Sequence, residues 1–141
     1  MHSGVVLLLA DGGGAKDKVD DYGYTPILWA ANNGHGDVVK LLIDMGADKD
    51  LAGNDGWTPL CCAASIGHRD VVHMLILHGA DKDKADNDGW TPLYYAAYWG
   101  KRDVVEVLLA NGADKKKAAK DGTTPWDVAG DEDIRRMLQS E

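Results

Sequence analysis

The sequence predicts an all-α solenoid of stacked helix-turn-helix units joined by hairpin-like connecting turns. Three observations predict it. Gly-x-Thr-Pro occurs four times at an unbroken period of 33 residues, as Gly23-Tyr24-Thr25-Pro26, Gly56-Trp57-Thr58-Pro59, Gly89-Trp90-Thr91-Pro92 and Gly122-Thr123-Thr124-Pro125. Two further triplets of motifs keep the same register: Ala30-Ala31, Ala63-Ala64 and Ala96-Ala97, then Gly46-Ala47-Asp48, Gly79-Ala80-Asp81 and Gly112-Ala113-Asp114. Residues 55–87 and 88–120 agree at 20 of 33 positions, and residues 22–54 and 55–87 at 19. A fixed period of this size marks a repeat array. The chain reads as a single domain over 1–141, with an N-terminal half-repeat at 1–21, full repeats at 22–54, 55–87 and 88–120, and a shortened capping repeat at 121–141.

Within a unit, Thr-Pro opens the first helix. The Thr hydroxyl can accept from free backbone N–H groups, and Pro suits the first turn because its missing donor would be unpaired there. The Ala-Ala pair follows and lets neighbouring helices approach. Gly34, Gly67 and Gly100 should stop this helix in a left-handed conformation. Asp37, Asp70 and Asp103 are expected to start the second helix, both capping it and complementing its dipole. Its apolar residues follow a helical period: Val38, Val39, Leu41 and Leu42; Val71, Val72, Met74 and Leu75; Val104, Val105, Val107 and Leu108. Gly46, Gly79 and Gly112 end it, and turns of the Asn54-Asp55-Gly56 type lead to the next unit. One such helix pair is apolar on both flanks and is stable only when stacked on neighbours.

On these motifs the chain resembles the ankyrin repeat family over essentially residues 5–141, with Thr-Pro-Leu, Ala-Ala, Gly-His, Asp-Val-Val and Gly-Ala-Asp in one register. The resemblance implies the ankyrin solenoid and a protein-binding role. One departure stands out. Where the family usually has His after Thr-Pro-Leu, this chain has Leu28, Cys61, Tyr94 and Asp127. The histidine that normally ties one turn to the next is missing.

The ends differ from the middle. Residues 5–10 lie 33 positions before Val38 to Ile43 and read as the second helix of a unit whose first helix is absent. The run has the look of a signal-peptide core, but it lacks a basic leader, is too short to span a membrane and is explained by its register. An uncovered helix there fits a fragment of a longer array or an edge that pairs with something. At the other end, Trp126 to Ala129 and Asp133 to Gln139 read as a short helix pair with Ile134, Met137 and Leu138 facing inward.

Composition narrows the function. With 15 basic and 23 acidic residues the net charge is −8, which disfavours phosphate backbones and anionic membranes as partners. The cluster Lys115-Lys116-Lys117 with Lys120 reads as a solvated connector. Cys61 and Cys62 are adjacent, so they form no disulfide framework. They occupy the slots of Leu28-Trp29 and Tyr94-Tyr95 and are expected to fill space, in the cytoplasm if the chain is natural.

Cys61, Cys62, His68, His73 and His78 lie within one unit and invite a metal reading, yet no i, i+4 His pair or Cys-x-x-Cys spacing occurs. Asp81-Lys82-Asp83 and Asp86-Asn87-Asp88 lack the Gly and terminal Glu of a calcium loop. No phosphate loop, nucleophile elbow or dinucleotide fingerprint is present. The expectation is a non-enzyme with no cofactor and no metal.

What remains is surface that varies between units. The residue between Gly and Thr is Tyr24, Trp57, Trp90 and Thr123, and the pair before the helix-ending Gly is Asn32-Asn33, Ser65-Ile66 and Tyr98-Trp99. Tyr22, Tyr24, Asn33, Trp57, Ile66, Trp90, Tyr98 and Trp99 are therefore the candidate partner-binding residues, most of them in an exposed aromatic strip ringed by Asp and Asn on the concave side. Trp90, Tyr98 and Trp99 are the expected anchor, because Trp and Tyr dominate interface hot spots. Internal packing explains Trp57 and Trp90 equally well. The partner expected is a protein with a basic or apolar patch. Self-association through the uncovered N-terminal helix is the alternative. A natural ankyrin fragment and an engineered ankyrin binder both fit the sequence.

Overall fold

The structure, a computed structural model, describes residues 23–139. The expected helix at 5–10 and the candidate residue Tyr22 lie outside the described residues. Eight helices and no strand occur among the described residues. They form pairs: α1 (Pro26–Asn32) with α2 (Gly36–Asp44), α3 (Pro59–Ile66) with α4 (Arg69–Leu77), α5 (Pro92–Tyr98) with α6 (Arg102–Ala110), and α7 (Pro125–Val128) with α8 (Glu132–Gln139). The first helices α1, α3, α5 and α7 pack in order as an inner layer, and α2, α4, α6 and α8 stack behind them.

Each inner helix starts as the Thr-Pro pair dictates. Thr25, Thr58, Thr91 and Thr124 accept, through their hydroxyls, from the backbone N–H groups of Leu28, Cys61, Tyr94 and Asp127. Asp127 also accepts from the Thr124 N–H, completing a reciprocal capping box on the short α7. Gly67 closes α3 at φ 96°, a conformation that a side chain would strain.

The second helices begin differently from expectation. Asp37, Asp70 and Asp103 lie in the first turn, and the cap position belongs to His35, His68 and Lys101, none of which makes a side-chain cap bond. The chain turns tightly after the helix-ending glycine: His35, His68 and Lys101 donate their N–H groups back to Ala30, Ala63 and Ala96. That turn sets the helix start two residues earlier. The aspartates complement the helix dipole, and the Asp37 carboxylate also accepts from the Val38 N–H at 2.9 Å.

The core runs between the layers. Ala30, Ala31, Ala63, Ala64, Ala96 and Ala97 are buried, as are Val38, Val39, Leu42, Val71, Val72, Leu75, Val104, Val105 and Leu108. Ile134 and Leu138 of α8 close it at the C-terminal end. Arg102 bridges to Asp131 at 2.8 Å and to Asp133 at 3.1 Å, clamping that cap to α6. The Arg135 guanidinium lies 4.4 Å from the centre of the Trp126 ring.

The connectors are tied from unit to unit without the histidine. Asp50 and Asp83 accept, through their carboxylates, from the backbone N–H groups of Asp81 and Asp114, both at 2.9 Å. The Lys84 and Lys117 ammonium groups donate to the carbonyls of the same two residues, again at 2.9 Å. At the tips, Asn87 N–H donates to Asp55 O and Lys120 N–H to Asp88 O. The approach is close: a Cβ on Gly56 would lie 2.6 Å from the Asn87 nitrogen. Two of the residues in the histidine slot also reach forward. The Cys61 thiol lies 3.6 Å from Lys84 O and 3.9 Å from Trp90 O. Tyr94 donates to Thr123 Oγ1 at 2.6 Å, and Thr123 in turn donates to Asp121 at 2.6 Å.

Candidate functional site

The sequences of α1, α3 and α5 are PILWAAN, PLCCAASI and PLYYAAY, so these three helices carry no charged residue. Most of their surface is spent on packing. What they leave in solvent is Trp29 (52% exposed) and Asn33 at α1, Ile66 (42%) on α3, and Tyr98 (47%) with Trp99 (56%) at the end of α5. In the 33-residue register Asn33, Ile66 and Trp99 share one slot at the ends of these stacked helices, and Trp29 lies four residues earlier on α1, in the slot of Cys62 and Tyr95.

Tyr98 and Trp99 meet edge to face, with ring centroids 4.9 Å apart. Trp90 continues the contact, 5.7 Å from Tyr98, 5.1 Å from Tyr95 and 4.6 Å from Tyr94. Trp57, one unit back, packs on Tyr95 at 5.2 Å. Such tilted and edge contacts are favourable because ring edges are positive and faces negative. Beneath them, the buried carboxylate of Asp86 accepts from the Tyr95 hydroxyl and from the N–H groups of Asp88 and Trp90. Burial, reinforced by Asp86, pushes the Tyr95 hydroxyl well above the usual phenol range, so it stays a donor.

The structure brings Trp57, Ile66, Trp90, Tyr98 and Trp99 to this side, but not all as exposed groups. Trp57 and Trp90 are half-buried, held between the turn and the tyrosines. Tyr24 is also half-buried, close to Gly53. The expected exposed strip is thus narrower: its exposed surface is Tyr98, Trp99 and Ile66, while Trp57 and Trp90 pack against tyrosines, the packing alternative left open for them. Asn33 is exposed and donates from Nδ2 to Trp29 O at 2.8 Å. Trp29 was not among the sequence candidates. Its slot holds the buried Cys62 and Tyr95 in the next two units, and slot equivalence made it read as core.

Asp55, Asp88 and Asp121 line the exposed turn tips, one per unit, with Lys120 beside the last. Hydrogen bonds from Thr123 hold the Asp121 carboxyl below its ordinary range. Four of the five residues considered for metal binding are engaged in packing or hydrogen bonding, and His73 is exposed. Cys61 and Cys62 are fully buried; burial raises both thiols, Cys61 to about 11. The His68 ring lies 3.0 Å from Asn32 O and the His78 ring 2.9 Å from Met74 O. Among the described residues no group of three or more His, Cys, Asp or Glu is arranged to hold an ion, and no helix is long and apolar enough to cross a membrane.

The family model for ankyrin repeats (3 copies) matches residues 1–86 and 47–121. The chain belongs to the ankyrin repeat family, whose members are generally protein–protein interaction modules and typically non-catalytic. No curated protein matches it.

Proposed function

We propose that this chain is a non-catalytic interaction module that binds a protein through the open side of its inner helices and turn tips, with Tyr98 and Trp99 as the anchor and Asn33, Ile66, Trp57 and Trp90 beside them. The observation that carries this reading is the pair Tyr98–Trp99. Two large rings stand about half in water at the end of a helix whose other residues are buried. The equivalent positions one and two units back are Ser65-Ile66 and Asn32-Asn33, so the stack itself does not require rings there. Tyr98 packs on Trp90 and Trp99 on Tyr98, which holds both rings before any partner arrives and limits the entropy lost on binding. The acidic turn tips favour a partner with a basic or apolar patch and disfavour nucleic acid and anionic membranes. Two free, buried thiols fit a cytoplasmic setting.

The test is co-purification of partners with the intact chain, with Trp99→Ala, with Tyr98→Ala, and with Glu106→Ala on the exposed side of α6 as a control. A partner retained by the control and lost from both ring variants supports the reading. Retention by all of them sinks it.

A further inference from the structure

The ends of α1 and α3 are each covered by a basic side chain from the following unit. At the first joint the His68 ring stands over Gly34. A Cβ on that glycine would lie 2.7 Å from His68 Nδ1, and Nε2 of the same ring is 3.0 Å from Asn32 O at the end of α1. At the second, the Lys101 stem covers Gly67, whose Cβ would lie 3.0 Å from Lys101 Cδ. Both covering residues immediately precede the second helix of their unit. The residue so placed before α8 is Asp131. Its carboxylate is engaged elsewhere: it accepts from the N–H groups of Asp133 and Ile134 and pairs with Arg102 at 2.8 Å. Among the described residues nothing beyond the chain neighbours of Gly100 comes within 4 Å of a Cβ built on it. The end of α5 is therefore open where those of α1 and α3 are closed.

The two closed joints show what the open one selects. The last carbonyls of a helix carry the negative end of its dipole and accept readily from Lys, Arg and His. Tyr98 holds the slot of Asn32, so its carbonyl is the one that a side chain over Gly100 would meet. The start of α8 adds Asp131, Glu132 and Asp133. Arg102 is paired with Asp131 and Asp133, Arg136 is paired with Asp133, and Glu132 is exposed. The balance of charge favours a cation. Resting on the reading of Tyr98 and Trp99, which immediately precede Gly100, as the anchor, we infer that this notch receives a Lys or Arg side chain of the bound protein. Its stem lies over Gly100 as Lys101 lies over Gly67, and its charged head meets the Tyr98 carbonyl. The partner's positive charge is thereby placed next to the two rings.

Amide NMR of the full chain tests this with three probes: N-acetyl-lysine amide, N-acetyl-arginine amide and the uncharged N-acetyl-norleucine amide. The two cations should move the Gly100 resonance saturably and bind at least about twofold more tightly than the norleucine probe, as a charge at a helix end should. Gly34 and Gly67 should stay in place, because both are covered. Lys101→Ala uncovers Gly67 and should bring its resonance into the response. Asp131→Lys supplies the missing cover, and should both silence Gly100 and release a partner captured through Trp99. Equal binding of the norleucine probe, or equal responses at all three glycines, overturns the proposal. So does a Gly67 that stays silent in Lys101→Ala, or retention of that partner by folded Asp131→Lys. A silent Gly100 alongside a captured protein that still depends on Trp99 removes the notch and leaves the face reading standing. Capture that ignores both Tyr98 and Trp99 removes the face reading, and the partner's place in the notch falls with it.

Discussion

Tyr95 donates its hydroxyl to the carboxylate of Asp86, a buried residue whose other oxygen accepts the backbone N–H groups of Asp88 and Trp90. Among the described residues neither has an identical residue in its slot. The Asp86 slot holds Gly53 and Ala119, and the Tyr95 slot holds Trp29 and Cys62. The two meet beside Trp90, whose ring packs on Tyr95 and whose N–H is held by Asp86. Removing the phenol leaves a buried charged acceptor one donor short, and a bond to a charged group contributes about 1.5–3 kcal/mol. Tyr95→Phe should lower unfolding stability by that order in urea titration. A cycle with Asp86→Asn should show coupling of about 1 kcal/mol or more.

The thiols predict a loss of stability in alkali. Cys61 is raised from 9.0 to about 11, and Cys62 is raised further, both by burial. Below pH 9 the thiols are protonated in folded and unfolded chains alike, and their contribution is fully present. Above it the unfolded thiols ionise first, so unfolding releases protons and each affected thiol removes up to about 1.4 kcal/mol per pH unit. For Cys61 this loss ends near pH 11. Thermal midpoints measured between pH 8 and about 10.5 should fall, and should fall less steeply in Cys62→Ala. A flat profile in the intact chain would contradict the burial of these groups.

Tryptophan emission should report two populations. Trp29, Trp99 and Trp126 are exposed, whereas Trp57 and Trp90 are half-buried against tyrosines. Iodide should quench the intact chain efficiently. Trp99→Phe and Trp29→Phe should each remove part of the quenchable signal, and Trp90→Phe should leave it nearly intact. Protected emission at Trp99 in the isolated chain would mean that its ring is packed.

Glycines separate by geometry. Gly130 has nothing within 4 Å of a built Cβ and lacks a positive φ, so Gly130→Ala should stabilise by about 0.4–1 kcal/mol through a less flexible unfolded chain. Gly56 sits at φ 85° against the next turn. Gly56→Ala should cost more than that gain, because the added carbon meets the nitrogen of Asn87 and the tip-to-tip bond must yield. Chemical denaturation of both variants distinguishes the two signs.

Most of the fold was legible because the period repeats every determinant. Thr25, Thr58, Thr91 and Thr124 cap as Thr-Pro predicts, and the apolar period of the second helices marks their buried face. The aspartates at 37, 70 and 103 were misplaced because a composition cue for capping cannot see the backbone turn donating to Ala30, Ala63 and Ala96. At the site, comparing slots across units found Tyr98 and Trp99. The same comparison hid Trp29, since Cys62 and Tyr95 in its slot are core residues. Likewise, the Asp86–Tyr95 bond joins two residues nine positions apart that no repeat motif pairs, and only three-dimensional proximity shows that one answers the other.

The ties between connectors are translationally invariant. Asp81 on Asp50 becomes Asp114 on Asp83, and Lys84 on Asp50 becomes Lys117 on Asp83. The block 55–87 both supplies the acceptors that its successor needs, through Asp83, and uses those of its predecessor, through Asp81 and Lys84. Duplication of residues 55–87 would therefore regenerate these connector ties at the new junction without a compensating substitution. Length in this architecture can change by whole blocks of this kind.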